Sequence, residues 1–468
     1  MRRFGVGVAG VLVALAFPAA ALAHGLTNRR DLPIPPWLFA WAAVFVLVAS
    51  FVGLSAKWRK PILEHARRRL LFRIPAAVEV ICGLLGVVVF AALIYAGFAG
   101  QQSATTNIVP TFVYVVFWVG VPLSCALFGN WFDRFSPWKA IARCLALLTR
   151  GVAPNGTAWR REYPSRMGYW PAAIGLFAFA WVELAYVDRS DPSTLATMML
   201  AYAAFQIAAM SVFGIEDWSA RGDAFGVYFD LFGRLSPLEW TRSEVKRRLP
   251  LAGLPKLTPA AGIVALMSVM IGTTSFDGFS SGSIWQQILP DLGKILGLDD
   301  PRSDGAYMWP ATIAMLVAVA LIAGLYYVGV LGMKALGGEF STLQIARRFA
   351  HGLVPIAFAY IVAHYLTLLL FQGQAMFYLI SDPLGDGSNL LGTAGIGIDY
   401  SVLGGNVQWY MQVAALVIGH VCALAVAHDR ALVMYKEPRD AARSQYWMLV
   451  VMVAYTSLAL WLLSDLAS

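Results

Sequence analysis

Charge is scarce in this chain: 13% of its 468 residues are Asp, Glu, Lys or Arg, against about 25% in a soluble domain. With 59% hydrophobic side chains and a mean hydropathy of +0.65, that shortage excludes an ordinary soluble globule. Cysteine is scarce too. The four present (Cys82, Cys125, Cys144 and Cys422) are far apart, with no C-x-x-C, so there is no disulfide framework to read. H-E-x-x-H, a Walker phosphate loop and a dinucleotide fingerprint set between strand and helix are all missing, which argues against ATP hydrolysis and nicotinamide chemistry. Strand-type alternation is missing as well, so a membrane β-barrel does not fit.

Long apolar runs are what the chain has instead. In lipid, every backbone polar group must be satisfied within the protein, and runs of about 20 apolar residues do this as helices. The runs lie near 36–56, 75–99, 110–128, 169–187, 193–214, 258–275, 308–332, 352–371, 407–427 and 446–463. The expected fold is all-α: a polytopic transmembrane helical bundle of about ten spans, forming one domain over residues 24–468. Residues 1–23 read as a cleaved signal peptide. Arg2 and Arg3 precede a short apolar run, and Ala21-Leu22-Ala23 is a small-x-small cleavage site that leaves His24 first.

The charge distribution orients the bundle. Twenty-eight of the 35 Lys and Arg fall in the loops near 57–74, 129–168, 215–257, 333–351 and 428–445. The positive-inside rule puts these loops in the cytoplasm, and both mature termini on the external side of a bacterial inner membrane. The formal net charge of +8 is then a set of anchors, some close enough to meet anionic lipid, and a nucleic-acid partner is not expected. The opposite loops are acidic: Asp277, Asp291, Asp299, Asp300 and Asp304 in one, Asp382, Asp386 and Asp399 in the next. A ten-residue motif recurs in two basic loops, Phe128–Asp133 running into Arg134-Phe135-Ser136-Pro137, and Phe225–Asp230 leading to Arg234-Leu235-Ser236-Pro237. It reads as an interfacial anchor rather than a transport repeat.

Chemistry points first to histidine. Four of the six lie on two consecutive apolar runs, His351 and His364 on one, His420 and His428 on the next. His351 and His428 sit where basic loops begin and read as interfacial. His364 and His420 lie inside the lipid-length runs, where an ionisable side chain marks a functional site by default. Antiparallel helices would bring the two to comparable depth. Two imidazoles plus a third donor suit zinc or copper, two facing imidazoles suit a haem less readily, and hydrogen bonding across the bundle or a proton relay are the alternatives. Cys422 points away from His420 and offers no ligand. His24 as a free N-terminus is a minor copper possibility. Asp277, in Ser275-Phe276-Asp277-Gly278-Phe279-Ser280-Ser281-Gly282, is the candidate catalytic residue, as a cation or substrate contact just beyond the lipid. The formal G-x-S-x-G of that stretch lacks the strand–turn–helix setting of a hydrolase elbow. Glu79 and Glu183 lie near helix ends, where snorkelling or capping accounts for them.

Several strings (HGLTNRRDLPIPPWLFAW, SFDGFSSG, HYLTLLLFQGQ, GIDYSVLGG and GHVCALAVAHDRAL) together resemble a family of polytopic bacterial membrane proteins labelled fenitrothion hydrolase. The resemblance spans most of residues 24–468. It implies hydrolysis of a P–O–aryl bond in an organophosphate triester, with His364 and His420 as ligands if a metal assists. The residues themselves leave open a metal or small-solute permease, or a haem- or copper-binding redox subunit with a partner membrane subunit.

Overall fold

A computed structural model describes residues 36–150, 160–336 and 339–467. The expected signal peptide and His24 lie outside the described residues. Each of the ten apolar runs coincides with a helix: α1 Pro36–Lys57, α2 Ala76–Ala99 and α3 Ile108–Phe128, with amphipathic α4 Pro137–Arg150 following on the basic side. Then come α5 Trp170–Leu184, α6 Pro192–Phe213, α7 Ala224–Gly233, α8 Ile263–Ser280, α9 Ser283–Ile295, α10 Asp304–Ala335, α11 Val354–Phe371, α12 Gly405–Met434 and α13 Tyr446–Ala467. Among the described residues, seven helices are long and apolar enough to cross a membrane by length and composition. The chain is therefore an all-α, multi-pass membrane protein.

Local chemistry sets several helix ends. The Asn107 side chain accepts from Val109 N ahead of α3, and Asp191 accepts from Thr194 N ahead of α6. Each satisfies one of the free N–H groups of a first helical turn. Helix α3 carries a π-helical stretch over Phe112–Gly120.

Helix α8 is the centre of the bundle, packed on α5, α10 and α11, with fourteen of its eighteen residues buried. Its polar run survives burial because Thr273, Thr274 and Ser275 donate to carbonyls one turn back, at 2.8–3.0 Å. Helices α11 and α12 form a close antiparallel pair. Gly419 permits it: a Cβ there would lie 2.3 Å from that of Ala359 and 2.8 Å from Pro355 O.

Three features depart from the sequence expectation. The second copy of the recurring motif is not interfacial. It forms α7, a short helix sunk into the bundle with Phe225, Tyr228, Phe229 and Phe232 all buried. The two copies pack on each other, with Phe132 and Phe229 rings 4.8 Å apart, and each motif aspartate pairs with its own cation: Asp133 with Lys139, Asp230 with Arg234. Second, the basic loops are partly strand. β1 Arg69–Arg73, β2 Leu238–Trp240 and β3 Glu244–Arg247 form an antiparallel sheet in the order β1-β3-β2. Third, His428 is enclosed by protein where the basic loops begin, and so is His351. His428 Nε2 lies 2.9 Å from Trp58 O, while neighbouring Asp429 accepts from the N–H groups of Ile62, Leu63 and Glu64 and from Trp58 Nε1.

Candidate functional site

Asp277 lies one turn from the end of α8, just past the Thr273–Ser275 run that ties its own polar groups back to the helix. Across from it, α11 presents His364 and Tyr365. His364 Nε2 lies 2.8 Å from Asp277 Oδ2, and the Tyr365 hydroxyl donates to the same oxygen at 2.7 Å. A carboxylate can only accept, so Nε2 carries the proton and Nδ1 is left as the basic nitrogen. The two rings meet edge to face, centroids 4.7 Å apart, which fixes the imidazole plane. Side-chain exposures of 22% for His364 and 19% for Asp277 leave the pair reachable rather than sealed.

More charge gathers around this pair. Glu183, at the end of α5, is near enough for its charge to act on Asp277, and Arg189 beyond it acts on both carboxylates. One Glu183 oxygen, Oε2, is buried without a hydrogen bond. Arg189 Nη1 donates to Leu184 O, and its own carbonyl accepts from the Tyr114 hydroxyl of α3. Behind them lies an aromatic wall, with Trp118 of α3 stacked on Tyr228 of α7 at 4.7 Å and tilted against Phe179 of α5.

The structure thus joins two of the residues singled out in the sequence, Asp277 and His364, and places the third elsewhere. His420 is fully buried, and its Nδ1 lies 2.7 Å from Leu416 O on its own helix. That carbonyl fixes the proton on Nδ1, and Nε2 is buried without a partner. Gly419 abuts Pro355 and Ala359, so His420 is level with the first turns of α11, about 10 Å short of His364 along the pair. Among the described residues, no three His, Cys, Asp or Glu side chains converge as metal ligands do. Ser280 of the G-x-S-x-G stretch is helical and donates to Asp277 O, 2.9 Å away.

Two contributors were passed over in the sequence. Tyr365 adjoins His364, and no local pattern in the sequence pairs it with Asp277. Glu183 was read as a snorkelling end residue, whereas its carboxylate turns inward. Glu79 does behave as an end residue, paired with Arg143 and Arg242.

No family model, curated protein or solved structure matches the chain. The site therefore has to be read from its own geometry.

Proposed function

We propose that the Asp277–His364 pair is a general-base dyad and that the protein hydrolyses small apolar esters, of the organophosphate triester class, reached from the external leaflet. One observation carries the reading: a carboxylate oxygen holds His364 Nε2 at 2.8 Å and leaves Nδ1 as the basic nitrogen of a partly exposed ring. That is how a carboxylate fixes the tautomer of a catalytic histidine. The resemblance to the fenitrothion hydrolase family supports the same reaction class.

The step balances without a covalent intermediate. His364 Nδ1 takes a proton from water as the water oxygen forms a bond to phosphorus. The P–O–aryl bond breaks, and the aryloxide leaves with its electron pair. The proton on His364 is then released to solvent or to the aryloxide. Asp277 stays ionised and stabilises the imidazolium while it exists. Tyr365 holds Asp277 in place, and Arg189 puts a positive charge near that carboxylate. An apolar triester partitions into the bilayer, so a site in the outer part of the bundle is one it can reach.

Topology belongs to the same proposal: ten spans after a cleaved signal peptide, in a bacterial inner membrane, with basic loops cytoplasmic and both mature termini external. A zinc or copper ion held jointly by His364 and His420 would have to span their difference in depth, so the dyad needs less rearrangement than the metal pair.

The test is release of nitrophenolate from a nitrophenyl dialkyl phosphotriester by the detergent-purified protein. His364→Ala is expected to lower turnover by about 10²–10⁴-fold, the usual contribution of a positioned base. His420→Ala is expected to stay near wild type. Unchanged turnover in His364→Ala would overturn the proposal.

A second reading has its own observation. The unpartnered Glu183 oxygen beside Asp277 suits a proton- or cation-exchange site, as carboxylate and histidine chains do in pumps and transporters. It predicts solute or proton flux in vesicles that Glu183→Gln abolishes, without chemical change to the solute.

A further inference from the structure

The basic face carries a cleft that neither the dyad nor the helix packing explains. Its volume is about 620 Å³, and His65, Arg67, Arg69, Arg247 and Arg248 line it together with Ile62 and Leu249. Three arginines in it have no acidic counterpart. Glu239 is engaged by Arg68 and Arg248, Glu244 by Lys246 and Arg73, and Glu64 by Arg430. Arg67, Arg69 and Arg247 are exposed and, among the described residues, make no ion pair.

The sheet makes this arrangement unusual. Arg69 on β1 and Arg247 on β3 are direct cross-strand partners. Like charges directly opposite one another destabilise a strand pair. An anion seated between the two guanidiniums removes that repulsion and offers each a charge-assisted hydrogen bond. Arg248, by contrast, is buried and committed, donating to Ser236 O and Gly233 O as part of the frame.

The rim of the cleft says which anion. Ile62 and Leu249 line the cleft and are exposed beside the arginines, and Leu70, Leu71 and Phe72 are exposed on the strand that carries Arg69. Strand β1 ends three residues before α2, and α1 closes at Lys57, so the segment between them lies at the ends of two apolar helices. Free phosphate has no use for such a rim. A lipid does: its headgroup phosphate meets the arginines and its acyl chains meet the aliphatic side chains. We infer that this cleft binds the headgroup phosphate of an anionic phospholipid in the leaflet that the basic loops face. Basic pockets on the cytoplasmic side of helical membrane proteins suit such headgroups.

The test is native mass spectrometry of the full-length protein titrated with phosphatidylglycerol or with phosphatidylcholine of the same chains. Wild type is expected to prefer phosphatidylglycerol. The double variant Arg69→Gln, Arg247→Gln is expected to lose about thirtyfold of that preference, the effect of two interfacial arginines. Lys436→Gln, Arg439→Gln removes the same charge from exposed positions outside the cleft and is expected to keep the preference. If the double variant does not fold, Arg67→Gln alone, outside the sheet, is expected to lose about fivefold. An undiminished preference in the cleft variants overturns the inference, as does an equal loss in the control pair. So does displacement of the lipid by millimolar inorganic phosphate, which would make the ligand free phosphate.

Discussion

The residues at the centre of the account divide by what each nitrogen and oxygen touches. His364 has one nitrogen held by Asp277, and the other is left basic. His420 has one nitrogen tied to its own helix and the other enclosed. Both were equally conspicuous in the sequence as imidazoles inside apolar runs. Asp277 separates them, and its approach to His364 depends on how α8 packs on α11, which no local pattern encodes. Tyr365→Phe removes one of two hydrogen bonds to Asp277 Oδ2 and leaves the His364 contact in place. Its turnover is expected to fall about tenfold, the value of one hydrogen bond to a charged group, as checked by nitrophenolate release.

At the level of elements, the apolar runs were legible because lipid leaves helices few alternatives, and all ten are helical. What the sequence hid was the basic side. Helix α7 is ten residues of mostly apolar and aromatic side chains inside a loop rich in cations, too short to register as a span, yet buried nearly throughout. The strands β1, β2 and β3 are only three to five residues long, and β1 pairs with β3 across almost 180 residues of chain, which gives no local alternation to detect. The clasp between α12 and the turn after α1 was equally hidden, since nothing near Asp429 announces four donors from Trp58, Ile62, Leu63 and Glu64. Asp429→Ala leaves four partly or fully enclosed donors without their acceptor. It is expected to cost about 3–5 kcal/mol, the scale of a broken buried hydrogen-bond network, and to lower the thermal unfolding midpoint of the purified protein. Gly419→Ala tests the α11–α12 contact, where the added methyl meets Ala359 and Pro355 O. An expected loss of about 1–3 kcal/mol follows from overpacking, read in the same melting experiment; an unchanged midpoint would show that the helices can separate freely there.

Over the whole molecule, the charged groups sort into two zones. The arginine-rich sheet and loops form one end, and Asp277, Glu183 and Arg189 gather around His364 towards the other. The second copy of the recurring motif supplies Tyr228 to the aromatic wall with Trp118 and Phe179, so that copy serves as internal packing behind the site rather than as a surface anchor. The proposed dyad and the proposed lipid cleft thus belong to opposite ends of the bundle.

The most direct measurement of the central claim is a double-mutant cycle on Asp277 and His364, read as nitrophenyl phosphotriester turnover. If Asp277 acts by orienting and stabilising His364, the two losses are strongly non-additive, and Asp277→Asn, His364→Ala is no slower than His364→Ala alone. If instead the losses multiply, or His420→Ala abolishes turnover while His364→Ala does not, the dyad is not the working site.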